Sequence, residues 1–332
     1  VTREKRKTTM RIALDPWGSD YASQFAATHE ADSEETSVQA LEEPIEERPW
    51  GPIKPRPTTL PKVTAVVDGV MRTDAPAMVM EEERRALALF GSYATGAVVI
   101  NSQVQIVHAR VIRLFIAGSN WSAPDDITVT AGTGAALSYH GLSSKADSYE
   151  NLREALMTEM RRSEAQVAET LSGEESVILA DGNLTFLGES SSVVGVIKTI
   201  HKMYLSPKKA KILERLQPGE RTPLFRIVSG RKNDGYSVLT CYLRLAQPQP
   251  IELPFAGLVR LEAKASLREQ AVGLLEQAAV KVCELASRAP KDPRAPQNLI
   301  PVGGLERHLR HRLGNPQLIV RGIKQKVRSM LE

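Results

Sequence analysis

Between Lys62 and Gly118 three segments rich in β-branched and aromatic residues follow one another across short polar joints: KVTAVVDGVMR from Lys62, ALALFGSYATGAVVINS over 86–102, and QVQIVHARVIRLFIAG over 103–118. Strands this close in sequence have no room for a crossover and must pair as hairpins. The stretch predicts an antiparallel meander. The pattern then changes period. In YENLREALMTEMRRSEAQVAETL (149–171), Tyr149, Leu152, Leu156, Met160, Val167 and Leu171 recur at steps of three and four, which predicts one apolar face of a long helix. After the turn signal SGEE, ESVILADGNL reads as a fourth, buried strand.

Farther on, 192–216 reads as helical or mixed, strands are expected near 224–230, 236–246 and 257–264, and an amphipathic helix over 266–288 precedes a basic, partly helical tail. Three strands, a helix, a fourth strand and then alternating elements predict an α/β fold with a mixed sheet flanked by helices. That order matches the ribonuclease H type of fold.

Residues 1–60 read differently. Glu30 to Glu47 holds eight acids and no base, and the following RPWGPIKPRPTTLPK carries five prolines, which bar a regular helix or a central strand. This part is expected to be an extension or linker, with the compact domain spanning 61–332. With 42% hydrophobic residues the chain is rich enough for a substantial core. Its longest apolar runs, VIRLFIAG and VVGVIK, fall far short of the roughly 18–20 residues of a membrane span. The N-terminal VTREKRKTTMRIAL has charge but no apolar core of a signal peptide. Two cysteines, Cys241 and Cys283, suit a reducing compartment, so a cytoplasmic location and no membrane contact are expected. The net charge of +4 permits a nucleic-acid partner without demanding one; from Arg288 onward ten Lys and Arg face three acids, which suits either phosphate contacts or a solvated face.

Chemistry enters through carboxylates. Asp68 and Asp181 each end an apolar run and each precede a glycine, in AVVDGVMR and VILADGNL. On its helix, Glu164 falls about 50° from the centre of the apolar stripe, an unfavourable place for a carboxylate unless a cation meets it. One reading is a buried salt bridge, with Arg161 or an arginine from a strand. The other is that Glu164 meets Asp68 and Asp181 around a metal. Three converging carboxylates repel one another unless a divalent cation neutralises them, and oxygen ligands of this kind select Mg²⁺ or Mn²⁺ over zinc. Such an arrangement suits hydrolysis of a phosphodiester. Asp-Gly alone is commonly just a turn.

The succession AVVDGVMR, MRRSEAQVAETL, VILADGNL, VVGVIKT and LVRLEAKAS resembles the NurA family of nucleases from about residue 61 to 332. The resemblance implies a ribonuclease H-like fold and Mn²⁺-dependent cleavage of DNA, with 5′ to 3′ exonuclease and single-strand endonuclease activity. It also implies a homodimer and partnership with the HerA hexameric ATPase in DNA-end processing. It makes Asp68, Glu164 and Asp181 the metal ligands. It assigns Lys198 to a phosphate contact, against the alternative of an ordinary exposed lysine. Arg260 and Glu262 match an Arg-x-Glu strand of the family, as a phosphate contact and its orienting partner, or as a cross-strand ion pair.

The C-terminus departs from the family pattern. Many members carry a Tyr-Pro pair followed by a metal-binding His, whereas GNPQLIVRGIK offers Asn315 before Pro316 and then Arg321, a further phosphate contact in this reading. His308 and His311 stand in for the missing ligand or lie on a basic helix near DNA; His108, in a strand, reads as a structural histidine. Two other functions compete. A DNA-binding or scaffold subunit with a degenerate site is compatible with the missing Tyr and His. An actin-like phosphotransferase would need a Gly-rich phosphate loop after the aspartate, and DGVMRTDAP has a single glycine.

Overall fold

The computed structural model describes residues 38–41, 45–46, 49–81, 84–132, 134–188, 192–200, 202–229, 237–264, 268–288 and 291–330. Most of the acidic stretch 30–47 and the first residues of the expected 266–288 helix lie outside them. In chain order the elements are β1 (Val38–Leu41), β2 (Val63–Glu81), β3 (Arg84–Ile100), β4 (Val104–Ala117), β5 (Asp126–Thr130), β6 (Ala136–Ser143), α1 (Tyr149–Leu171), β7 (Ser176–Asp181) and β8 (Val193–Ile197). There follow α2 (Pro207–Ala210), β9 (Phe225–Ser229), β10 (Ser237–Arg244), β11 (Leu258–Lys264), α3 (Arg268–Leu285), α4 (Ile300–Arg312) and α5 (Pro316–Ser329). Among the described residues no helix is long and apolar enough to cross a membrane. The fold is α/β, with mixed strand pairing and flanking helices. The described residues fall into two compact units, one within 1–58 and 196–299, the other within 59–195 and 300–332.

In the 59–195/300–332 unit the strand order is β7-β2-β3-β4-β6-β5. The expected meander is present: β2 pairs antiparallel with β3, and β3 with β4. β7 returns parallel to β2, Val63 opposite Ser176 through Val67 opposite Ala180, and the connection that a parallel pair requires contains α1. The strands are longer than the sequence suggests. β2 runs on through Asp74 and Pro76 to Glu81, bridged by a register shift between Thr73 and Ala75. β5 and β6 form an additional hairpin.

Side-chain alternation divides the sheet into two faces. On one, Ala65, Val67 and Ala97 meet Val167 and Ala168 of α1, and Leu89, Tyr93 and Ile116 meet Leu152 and Leu156. Gly91 is needed here: a Cβ would stand 2.6 Å from Leu156 Cδ2. On the other, Val70, Ala94 and Val98 pack against Leu305, Leu309 and Leu313 at α4, while Phe90, Phe115 and Val129 pack against Ile319 and Ile323 of α5. Helices therefore cover both faces of this sheet.

In the other unit, β1-β9-β10-β11 form an antiparallel run. Within 192–216, where a helical or mixed stretch is expected, the chain makes β8 first and then only the short α2 and one turn of 3₁₀ helix. Val193, Val194, Val196 and Ile197 explain this, since β-branched side chains fit a pleated strand better than a helix.

Two arginines organise the interior of this unit. Arg221, 1% exposed, pairs with Glu46 and Glu276. Glu46 Oε2 also accepts the amide of Leu224 at 2.8 Å, so the proline-rich approach is held by a buried ion pair. Arg244 donates to three backbone carbonyls, those of Ala256, Leu213 and Pro254; burial holds its pKa down at about 10.

Candidate functional site

Asp68 lies in β2 and Asp181 ends β7. The parallel register runs to Val67 opposite Ala180, so the two aspartates are the next residues in step on adjacent strands, about 4.8 Å apart in the pairing direction. Asp68 is buried and Asp181 exposed. The Gly182 backbone turns away at φ 95°, a left-handed conformation that glycine adopts without strain.

Glu164 reaches the same strand from above. A Cβ on Gly69 would stand 2.5 Å from Glu164 Oε1 and 3.0 Å from Met160 Cγ, so the missing side chain at 69 makes the space that Glu164 occupies. The neighbouring Ser163 is buried and shares a hydrogen bond with Thr95 Oγ1 at 2.9 Å, fixing this turn of α1 to β3. Glu164 and Asp181 line one small cavity of about 30 Å³ with Arg161, Asn183 and Phe186, enough for a water or an ion.

Asp68 stands differently. Alternation groups it with Val66 and Val70, and Val70 faces α4, whereas Gly69 faces α1. Asp181, the residue in step with Asp68, nonetheless lines the Glu164 cavity, so alternation at these strand positions does not by itself separate the three carboxylates. Among the described residues no group of three or more His, Cys, Asp and Glu is arranged to hold a metal ion. Asp68 and Asp181 are the next residues in step on adjacent strands, and Glu164 and Asp181 line one cavity. The donors are all carboxylates, whose chemistry fits a hard divalent cation.

The remaining candidates fall into separate groups. Lys198 is 8% exposed, which rules out the ordinary exposed lysine. Its Nζ donates to Asn298 Oδ1 at 3.1 Å; Asn298 Nδ2 donates to Asp292 Oδ2 at 2.6 Å, and the Arg294 amide to Asp292 Oδ1 at 2.8 Å. Arg260 Nη1 donates to Glu262 Oε2 at 2.6 Å, and its guanidinium lies 5.2 Å from the Tyr204 ring centroid. The pair is thus made along one strand, between residues two apart on the same face, rather than across strands. Arg321, His308 and His311 are exposed on α5 and α4. Asn315 caps α5, its Oδ1 accepting the amides of Gln317 at 2.9 Å and Leu318 at 3.3 Å, with Pro316 in the first turn. His108 is exposed at φ 52°, near the register shift between β3 and β4, rather than a satisfied core residue.

A buried polar group centred on Asp74 lies outside the residues that the sequence singles out. The Asp74 carboxylate accepts from Arg72 Nε at 2.8 Å, from Tyr139 Oη at 2.9 Å and from Ser92 Oγ. Arg113 Nη1 donates to Ser92 Oγ at 2.6 Å. Arg72 and Arg113 also donate to the carbonyls of Gly314 and Leu313, each at 2.9 Å, which satisfies the end of α4. Burial, and then the Asp74 charge, push the Tyr139 phenol up from its ordinary value. Arg-x-Asp in a strand is the signal that could have found it, the same two-residue spacing as Arg260 and Glu262.

Comparison with curated proteins gave no match. Among solved structures, the chain is similar to the NurA nuclease from Sulfolobus solfataricus at 11% identity and a TM-score of 0.43, covering 85% of this chain and 88% of that one. It is also similar to a NurA solved with manganese, at 16% identity and a TM-score of 0.17, covering 39% of this chain and 22% of that one. The family model of the NurA domain matches residues 90–302, and the chain belongs to that family.

Proposed function

We propose that the chain is a metal-dependent DNA nuclease in which Asp68, Glu164 and Asp181 hold Mn²⁺, with Mg²⁺ as a substitute. Family membership supports a nuclease. The observation that supports the site is the parallel register, Val67 opposite Ala180, which leaves Asp68 and Asp181 next in step, with Glu164 seated against Gly69. Carboxylates so placed repel one another, and a divalent cation offsets that repulsion by drawing them together. When bound, the metal supplies activation of water and charge stabilisation at the leaving oxygen.

Lys198 and Arg260 serve as phosphate contacts in this reading. Asn298 holds the lysine and Glu262 the arginine. The order of three antiparallel strands, a helix and a strand parallel to the first supports a ribonuclease H-like core. By extension from the family, the activity is 5′ to 3′ exonucleolytic on DNA ends and endonucleolytic on single strands, exercised by a cytoplasmic homodimer with a HerA-type hexameric ATPase.

One observation favours a second reading, a DNA-binding subunit with a degenerate site. Asn315, in place of the family's Tyr, caps a helix. Cleavage of end-labelled single- and double-stranded DNA with Mn²⁺, Mg²⁺ or EDTA separates the two. The nuclease reading expects metal-dependent products; binding without cleavage under every metal selects the second.

A further inference from the structure

We propose that the outer surfaces of α4 and α5 form a docking face for the phosphate backbone of DNA. The inference rests on the nuclease reading only for the choice of polyanion. From Ile300 to Met330 the chain holds seven Lys and Arg and one acid, Glu306, which lies 3.5 Å from Arg310. Exposed on α4 are Arg307, Arg310 and Arg312; exposed on α5 are Arg321, Lys324 and Arg328.

Three features make this more than a solvated charge run. The first is geometry: Gln317, Arg321, Lys324 and Arg328 recur at steps of four, three and four, one face of a helix, with axial separations of about 4.5–6 Å. The second is rigidity. The opposite face of α5 is seated through Ile319 and Ile323, and Gly322 approaches the Thr130 carbonyl so closely that a side chain there would clash. The joint between the helices is held by Arg72 and Arg113 on the carbonyls of Gly314 and Leu313. The cations therefore sit on a fixed frame. The third is shape: Pro316, Gln317, Val320, Arg321 and Lys324 line an open groove in which apolar atoms lie beside two cations. Such a surface matches a sugar-phosphate chain, whose binding gains from release of counterions.

A lipid surface fits less well. Membrane-surface helices insert their apolar face, and that of α5 is already buried against the sheet. An acidic protein would satisfy charge alone, and the test distinguishes it.

Anisotropy of labelled single- and double-stranded oligonucleotides is measured in EDTA, so that cleavage plays no part, over about 50 to 200 mM salt. Combining Arg321→Glu, Lys324→Glu and Arg328→Glu should weaken DNA binding at least about tenfold and lower the salt slope by about 2–3. The milder triple Gln variant should lower the slope in the same direction, which keeps the test valid if the reversal disturbs folding. Unchanged affinity and slope in the triple Gln variant overturn the proposal, including in favour of an acidic protein partner. The two readings fail separately: a wild type that binds DNA through this face but never cuts it removes the nuclease, and a wild type that cuts while the variants bind normally removes the docking face.

Discussion

Glu164 lies against Gly69, so closely that a methyl group at position 69 would stand 2.5 Å from its Oε1. Gly69→Ala must therefore move Glu164 from above β2. Because the displaced group ends a flexible side chain, the expected loss of stability is modest, about 1–3 kcal/mol for an overpacked site. Metal-dependent cleavage should fall at least about tenfold, as expected when a reacting group is misplaced by about 1 Å. Thermal unfolding and cleavage rates measured on one preparation check both; full activity would show that Glu164 does not work from this position.

Asp74 should matter to stability rather than chemistry. Asp74→Ala leaves the Arg72 and Arg113 guanidinium groups without their carboxylate and deprives Tyr139 of its acceptor. Removing one partner of a buried ionic group costs about 3–5 kcal/mol. Denaturant unfolding should show a lower midpoint with an unchanged slope.

The two cysteines give a pH signature. Burial pushes the Cys241 thiol up to about 12 and the Cys283 thiol up to about 11, from an ordinary value of 9.0. On raising the pH through 9 the unfolded chain loses these protons first. Both thiols thus contribute nothing to the pH slope well below 9, and lower stability as pH rises from 9 towards 12. Cys241→Ala should flatten that alkaline slope. Cys241 should also resist thiol reagents at neutral pH until the chain unfolds, read by labelling with and without denaturant.

Asn298 holds the Nζ of Lys198 at 3.1 Å. Asn298→Ala should lower the cleavage rate at saturating DNA by roughly tenfold, the scale of a misplaced phosphate contact. Lys198→Ala should do at least as much, and the double variant little more than Lys198→Ala alone, since the asparagine acts through the lysine. Additive losses would show that Asn298 works independently.

The meander, α1 and β7 were legible because each has a clean period: alternation over 62–118, three-and-four spacing over 149–171, and a short apolar run before Asp181. The course of β2 past Asp74 was hidden because the polar TDAP interrupts its alternation; the register shift and the Asp74 hydrogen bonds compensate in three dimensions. Apolar runs and helical spacing single out Asp68, Glu164 and Asp181, and strand alternation groups Asp68 with Val66; spacing does not give the seating of Glu164 against Gly69. Alternation along β2 puts positions 68 and 69 on opposite sides, and Glu164 lies against the glycine. The burial of Lys198 is not legible in the sequence because its partner Asn298 lies 100 positions away. No local pattern encodes a contact at that range.

The most direct test of the central claim is cleavage of end-labelled DNA by wild type, Asp68→Ala, Glu164→Ala and Asp181→Ala, each with Mn²⁺ and with EDTA. Mn²⁺-dependent products are expected from wild type alone, with all three variants folded and depressed by at least about 10²-fold, the order expected when an electrostatic contributor to the transition state is lost. Undiminished cleavage in the Asp68→Ala variant, or no cleavage by wild type with any metal, would contradict it.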